Sequence, residues 1–372
     1  QLTESECTYC GQCVAGGPVG DLTENDHTNR LLQDLADPKK TVIVQTAPAV
    51  RAALGEEFGF APGTSVTGKM VAALRELGFD KVVDTDFAAD LTIMEEGTEL
   101  LQRLAKLLNG EDVKMPLMTS CCPGWVSFCE KHYPELLPNL STAKSPMEMF
   151  GAVAKNYLAP RMDVDRKDMV VVAVMPCVAK KAERARPEFS KDGIPDVDIV
   201  ITTRELARMI RYANINFNAL QDSDFDKAMG ASSGAGVIFG ATGGVIEAAV
   251  RTAYELQTKK PLPRLDYTEL RGFEGIRSAT IDFDGVAVNI GIAHGLANGR
   301  KLVEDVKAGR SPYHAIEIMA CPGGCIGGGG QPYHKGEMDI IRQRHASIYA
   351  EDASKPIRKS HENPVISDIY KN

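Results

Sequence analysis

The run Ile316-Glu317-Ile318-Met319-Ala320-Cys321-Pro322-Gly323-Gly324-Cys325, continuing through Gly327-Gly328-Gly329-Gly330-Gln331-Pro332, carries two thiols from an apolar, β-prone segment into a turn almost without side chains. Such a turn lets backbone close tightly around a bulky inorganic group. The chemistry it suggests is a metal–sulfur centre. Two distant clusters supply further walls: Thr119-Ser120-Cys121-Cys122-Pro123 and Met175-Pro176-Cys177-Val178-Ala179-Lys180-Lys181. Cys122, Cys177, Cys321 and Cys325 together make four thiolates, the complement of one four-iron cluster. Zinc is the alternative, but zinc sites typically bring C-x2-C pairs and these four thiols include none. Neighbouring cysteines rarely both face one centre, so one of Cys121 and Cys122 is a ligand and the other is spare, either inert packing or a working acid. Lys180, one helical turn beyond Cys177, could set an ammonium beside an anionic centre; a surface lysine is the other reading.

The first 24 residues hold a separate thiol group, Cys7-Thr8-Tyr9-Cys10-Gly11-Gln12-Cys13. This is the iron–sulfur run C-x2-C-x2-C-x3-C-P with Gly17 where the fourth cysteine belongs. No upstream run supplies the missing ligand, so the segment reads as half of a ferredoxin module. A zinc-type knuckle, or a remnant that binds nothing, is the competing view. Nine cysteines in four short groups do not resemble a disulfide framework, and thiolate ligands in a reducing compartment fit better. Cys129 matches no motif and is expected to be a small buried hydrophobe. The histidines show no paired spacing for a metal site.

Composition excludes several classes. A formal charge of −8 without any Lys/Arg block argues against a nucleic-acid partner. No apolar run is long enough to span a bilayer, and the first residues do not read as a signal peptide. The expected location is cytoplasmic.

The elements that must position these thiols read as α/β. Thr41–Thr46 is a continuous apolar strand ending at Ala47-Pro48, Thr67–Leu77 an amphipathic helix stopped by Gly78, and Lys81–Thr85 the next strand. Strand, helix and strand at this spacing imply a parallel unit. A long helix is expected from Ala89 to Leu108, with Glu96, Glu99 and Arg103 on one face at i, i+3 and i+7; by spacing alone this is a solvated ion-pair stripe. Met115–Met118 and Asp168–Met175 are strands running into the second and third thiol clusters. Asp198–Ile201 leads into a helix through the capping box Thr202-Thr203-Arg204-Glu205. Gly234–Gly244 lacks both the dinucleotide fingerprint and a P-loop, and reads as close backbone packing near the centre. Thr280–Ile292 is a hairpin turning at Asp284-Gly285. From Ile340 onward the chain is charged and is expected to be an irregular tail wrapping the surface.

These three thiol signatures, with Lys180-Lys181-Ala182-Glu183 after the second and Gln331-Pro332 after the third, resemble those of the iron-only (FeFe) hydrogenases. The resemblance runs from the Cys7 motif to the tail. It implies two lobes of twisted, mainly parallel sheet flanked by helices around an iron–sulfur site, with a short N-terminal ferredoxin-like remnant. The implied units are 1–24, a catalytic domain at 25–339, and a small-subunit-like tail at 340–372. The implied cofactor is an H-cluster: a four-iron four-sulfur cluster joined through a cysteine sulfur to a two-iron subcluster bearing CO, CN and an azadithiolate. By position, Cys122, Cys177 and Cys321 would hold the four-iron part and Cys325 the bridge. Lys180, Pro48 and Ala49 would approach the cyanides, with Met175 and Met319 packed beside the two-iron unit. Cys121 would be the proton-donating thiol, and Glu96, Ser141, Glu99 and Arg103 the outward relay. Cys7, Cys10 and Cys13 would hold an accessory cluster, for which Gly17 leaves a ligand missing.

The function implied is reversible reduction of protons to dihydrogen, with a ferredoxin-type electron carrier and maturation proteins as partners. Two other functions compete: a hydrogen sensor on the same scaffold, and a non-catalytic iron–sulfur assembly protein. Cys121 and the acidic relay argue against the sensor; the full glycine-rich third signature and the Cys121-Cys122 pair argue against the assembly protein.

Overall fold

Continuous apolar, β-branched runs favour extended backbone buried on both faces. β1 (Thr41–Thr46), β2 (Lys81–Asp84), β4 (Met169–Met175) and β7 (Ile199–Thr202) are such runs, and β4 is buried along its whole length. They form one sheet in the order β2-β1-β4-β7, with every pair parallel. A second sheet has the order β3-β10-β9-β8, built from β3 (Leu117–Met118), β10 (Ala315–Met319), β9 (Ala287–His294) and β8 (Ile276–Asp282). Here β3, β10 and β9 run parallel and β8 is an antiparallel edge. A short ribbon, β5 (Ser190–Lys191) with β6 (Ile194–Pro195), lies outside both sheets. The computed structural model describes residues 5–17, 20, 22–229 and 232–371, and the side chain of every one of these except residue 228.

Each sheet carries helices on its faces, which gives the two-lobed α/β architecture expected from the sequence. Three helices meet between the lobes. The long helix Asp86–Leu108 packs against Gly244–Thr258 and against Pro146–Val153. It begins three residues earlier than the expected Ala89, directly after Asp84-Thr85 at the end of β2. The capping box closes as read: the Thr202 hydroxyl accepts from the Glu205 amide, and the Glu205 carboxylate accepts from the Thr202 amide. The hairpin turns where expected, with Asp284 and Gly285 both at positive φ. Only Leu117 and Met118 of the expected Met115–Met118 strand pair with a neighbour.

The C-terminal region corrects the expectation of an irregular tail. Met338–Ser354 is a 17-residue helix and Pro364–Lys371 another. The first buries Ile341 and Ile348, and beside them Arg344 and Asp352. Two of those four positions are ionic, which is why the stretch reads as solvated. Arg344 clasps Glu56 with two bonds of 2.7 Å, and Asp352 binds the fully buried Arg251 with two of 2.9 Å.

At the other end, the thiol segment near residue 10 packs onto the body. Gln12 Nε2 donates to the Gly327 carbonyl at 2.9 Å, and Lys131 Nζ donates to the Cys7 carbonyl at 2.6 Å.

Candidate metal centre

Parallel strands collect their functional loops at their carboxyl ends. Ala47 and Pro48 follow β1, Thr85 follows β2, Cys121 and Cys122 follow β3, Cys177 follows β4, and Cys321 and Cys325 follow β10. All of these residues line one cavity of about 730 Å³, a volume that includes space open to solvent. Met175 and Met319, the last residues of β4 and β10, line it as well. Four of the expected ligands and the spare thiol are thus brought together from positions spread over roughly two hundred residues.

Local structure fixes each sulfur. Cys122 is the N-cap of helix Pro123–His132, with proline at the first helical position, where its missing N–H costs nothing. The Cys122 sulfur accepts from the Ala320 amide at 3.4 Å, and the Gly124 and Trp125 amides also favour its charged form. Cys321 and Cys325 flank a turn with Gly323 and Gly324 at φ 73° and 93°. A Cβ on Gly324 would lie 2.6 Å from the Thr242 nitrogen, so only glycine fits there. The Gly330 amide then binds the Pro176 carbonyl at 2.8 Å and ties this loop to the one bearing Cys177.

The electrostatics are those of a dry thiol nest. Burial pushes the Cys325 thiol up to about 12, and the neighbouring Cys122 sulfur adds to the effect. Burial likewise raises Cys121, Cys122, Cys177 and Cys321. Metal binding must therefore displace protons, and affinity depends on pH accordingly. Lys180 is buried on the cavity wall, which settles the surface-lysine alternative. Burial works to lower its pKa, but the Glu183 carboxylate at 2.7 Å and the thiols nearby raise it to about 12. Its ammonium also donates to the Cys121 carbonyl at 3.1 Å.

The stripe on helix Asp86–Leu108 is not solvated. Glu96 is 4% exposed, and burial pushes its pKa up to about 7, aided by the Glu99 and Glu317 charges and opposed by the Ser141 hydroxyl and Ser120 amide. Glu99 Oε2 accepts from Thr142 N at 2.9 Å and lies 3.5 Å from Ser141 Oγ, and Glu99 Oε1 accepts from Arg103 Nη2 at 2.6 Å. Arg103 goes on to the Lys114, Pro138 and Leu140 carbonyls near the surface. After burial itself, the Glu96 charge does most to raise the Cys121 thiol. A line of titratable groups therefore runs from the cavity outward.

Other expected residues lie off the cavity wall. Ala49 is fully buried one residue behind Pro48, and its carbonyl accepts from Gln331 Nε2 at 2.8 Å. Cys7 and Cys10 are half-buried and Cys13 is exposed, away from the cavity; Cys10 is close enough to act on the Cys321 thiol. Cys129 is buried within helix Pro123–His132, as its lack of a motif suggested. Sequence reasoning did not single out Ala89, Pro146, Met147 and Phe239, which also line the wall. Phe239 lies in the glycine-rich stretch read as packing near the centre, a usable pointer; Ala89 and Met147 carry no local signal.

The wall tests what the cavity can hold. Its lining includes five thiols, apolar side chains and Lys180, and among the described residues no carboxylate or histidine. Hard cations would find no ligand there, and the five thiols of the wall exceed the four that a tetrahedral zinc takes. A polynuclear iron–sulfur group fits. Fold and site together define a two-lobed α/β protein built around a buried iron–sulfur centre.

Residues 40–329 match the family described as iron only hydrogenase large subunit, C-terminal domain, and residues 338–372 match iron hydrogenase small subunit. The chain belongs to the iron-only hydrogenase family. It is 60% identical to the NADP-reducing hydrogenase subunit HndD of Solidesulfovibrio fructosivorans over 99% of its own length and 63% of that protein's. It is 47% identical to iron hydrogenase 1 of Clostridium pasteurianum over 95% of its length and 62% of that protein's. The chain thus spans just under two thirds of each of these relatives. Its fold matches that of a variant of the [FeFe]-hydrogenase HydA1 from Chlamydomonas reinhardtii, with a TM-score of 0.82 and 43% identity over 94% of both chains. Family membership implies a four-iron cluster and a two-iron subcluster, and the donor set of the cavity suits both. No helix among the described residues is long and apolar enough to cross a membrane.

Proposed function

We propose that this chain interconverts dihydrogen with protons and electrons at an H-cluster held in the thiol cavity. The observation that carries the reading is the join between two structures: a closed sulfur nest, and a buried line of titratable groups leading out from Cys121. When bound, the iron group supplies the redox chemistry at which dihydrogen is made or split. Cys122, Cys177 and Cys321 would hold its four-iron part and Cys325 would bridge to the two-iron part. The Lys180 ammonium, kept charged by Glu183, is suited to anionic cyanide ligands, as are the backbone donors around Pro48 and Ala49. Met175 and Met319 exclude water on the strand-end side.

Protons must cross a dry interior at every turnover, and the Cys121 thiol begins their path. Glu96, with its pKa near 7, can accept and release a proton at working pH, and Ser141, Glu99 and Arg103 carry the path outward. The catalytic unit is 25–339, the segment 1–24 is a partial iron–sulfur module, and 340–372 is small-subunit-like. Cys7, Cys10 and Cys13 form an approach for electrons from a ferredoxin-type carrier, with Cys10 near enough to Cys321 to act on its thiol. Separate maturation proteins would insert the two-iron unit, and the reducing setting that free thiols need suits the cytoplasm.

A non-catalytic assembly role or a sensor would have little use for the Cys121 thiol coupled to a buried acid. Infrared spectroscopy of matured protein should show carbonyl and cyanide bands, and the protein should evolve gas from a reduced dye. Cys121→Ala should keep the bands and lose nearly all turnover. Turnover at wild-type rates in that variant would take the thiol out of the path, and matured protein without bands would remove the reading altogether.

A further inference from the structure

One buried acid belongs neither to the thiol nest nor to the proton path. Glu148 sits on helix Pro146–Val153, whose first two residues line the cavity. Its side chain is 0% exposed, and neither carboxylate oxygen has a hydrogen-bond partner among the described residues. An ionised carboxylate cut off from water and from donors is strongly disfavoured, so a group in this place takes the neutral form.

Its neighbours are paired charges. Glu183 Oε2 accepts from Lys180 Nζ at 2.7 Å and from Ser145 Oγ at 3.1 Å; Lys144 Nζ binds Asp196 Oδ2 at 2.5 Å. After burial itself, Glu183 and Asp196 disfavour the Glu148 anion, while Lys180 and Lys144 favour it; Arg184, next to Glu183, also lies in its field. Helix Asp86–Leu108, packed along the same helix, contributes none of the charges that dominate at Glu148. The balance pushes its pKa up to about 9. Ser145 and Glu183 also line an open surface pocket, with Lys144 and Arg186, that brings solvent to this cluster.

We propose that Glu148 is a positioning residue that couples charge in the cavity to a proton: it is held as a neutral acid behind the Lys180–Glu183 pair, and its ionisation follows the charge state of the iron–sulfur group. This rests on the reading of the cavity as a redox centre. Added negative charge in the cavity favours the protonated acid, and removal of that charge favours the anion. The coupled step is a proton transfer alone. Where pH has ionised the acid, above about 9, arrival of the electron reprotonates it: an O–H bond forms on a Glu148 oxygen, a solvent O–H bond breaks, and the electron delivered by the carrier stays in the cavity.

Two measurements test it. In protein without its metal group, difference infrared spectroscopy at neutral pH should show the carbonyl band of a protonated carboxyl that disappears in Glu148→Gln and fades as pH rises through about 9. In loaded protein, spectroelectrochemistry should give equal four-iron potentials for wild type and Glu148→Gln at neutral pH, where both side chains are uncharged. Above that, the wild-type potential should fall more steeply with pH than the variant's. A missing carboxyl band, a variant potential already raised at neutral pH, or identical pH slopes would each overturn the proposal. Should the glutamine variant fold poorly, Glu148→Leu provides the same neutral comparison. If no iron group can be loaded, the functional reading fails while the band test still decides whether Glu148 is a neutral acid.

Discussion

A carboxyl group with a pKa near neutrality can both take and give a proton at working pH, and Glu96 holds such a value because burial outweighs the donors around it. The direction of the effect follows. On the proposed path, proton reduction would need Glu96 protonated to feed Cys121, so that rate should fall as pH rises through about 7; dihydrogen oxidation would need it ionised to accept, so that rate should fall as pH drops through the same value. Glu96→Gln keeps the shape and removes the titration. It should lower turnover by about 100-fold or more in both directions and abolish the bend near neutrality, leaving the infrared bands of the iron group in place. A pH profile unchanged in shape would assign the bend to another group. Local spacing gave Glu96, Glu99 and Arg103 a common face, but not their burial. Their partners Ser141 and Thr142 lie more than forty residues beyond Glu99; spacing names neither, the family resemblance named Ser141, and Thr142 is found only through the tertiary contact.

Elements made the thiols legible. Continuous β-branched runs mark β1 and β4, and the capping box marks the start of the helix after β7, because each signal is local and physical. That the four expected ligand sulfurs share one cavity follows from their position at strand ends. What no single stretch could show was the third dimension of the glycine-rich turn, in which Gly324 abuts the Thr242 backbone. That contact is open to test against a neutral case. Gly309 has φ 66° with open space around its Cα, so Gly309→Ala should cost only about 1 kcal/mol of backbone strain. Gly324→Ala adds a collision with backbone 2.6 Å away to a φ of 93°, and should cost about 2 kcal/mol or more. Thermal unfolding would rank the two, and iron content after reconstitution should fall only in Gly324→Ala. Equal effects would mean that the turn relaxes freely.

On the scale of the whole molecule, helix Met338–Ser354 acts as a brace rather than a wrapping tail. Its Arg344, with no exposed surface, donates to the Ile326 carbonyl at 2.9 Å and the Pro332 carbonyl at 3.1 Å, both in the stretch that follows Cys325. The same guanidinium holds Glu56, in the first lobe, through two bonds of 2.7 Å. One side chain therefore ties its own helix to the cysteine loop just before it and to a first-lobe segment remote in sequence. Its ionic character is also what concealed the helix, since a pattern of apolar residues is the usual sign of a buried face. Arg344→Met fills similar space but leaves Glu56 and two carbonyls unpaired. Breaking a buried pair by removing one partner costs about 3–5 kcal/mol, so this variant should unfold well below wild type and lose iron from the cavity faster. Adding Glu56→Leu removes the stranded carboxylate and should recover part of the loss. Double-mutant analysis should then give a coupling of about 1–3 kcal/mol between the two positions. Additive effects in that cycle would show that the pair does not brace the lobes, and the hold on the cysteine loop would then rest on the two carbonyl bonds alone.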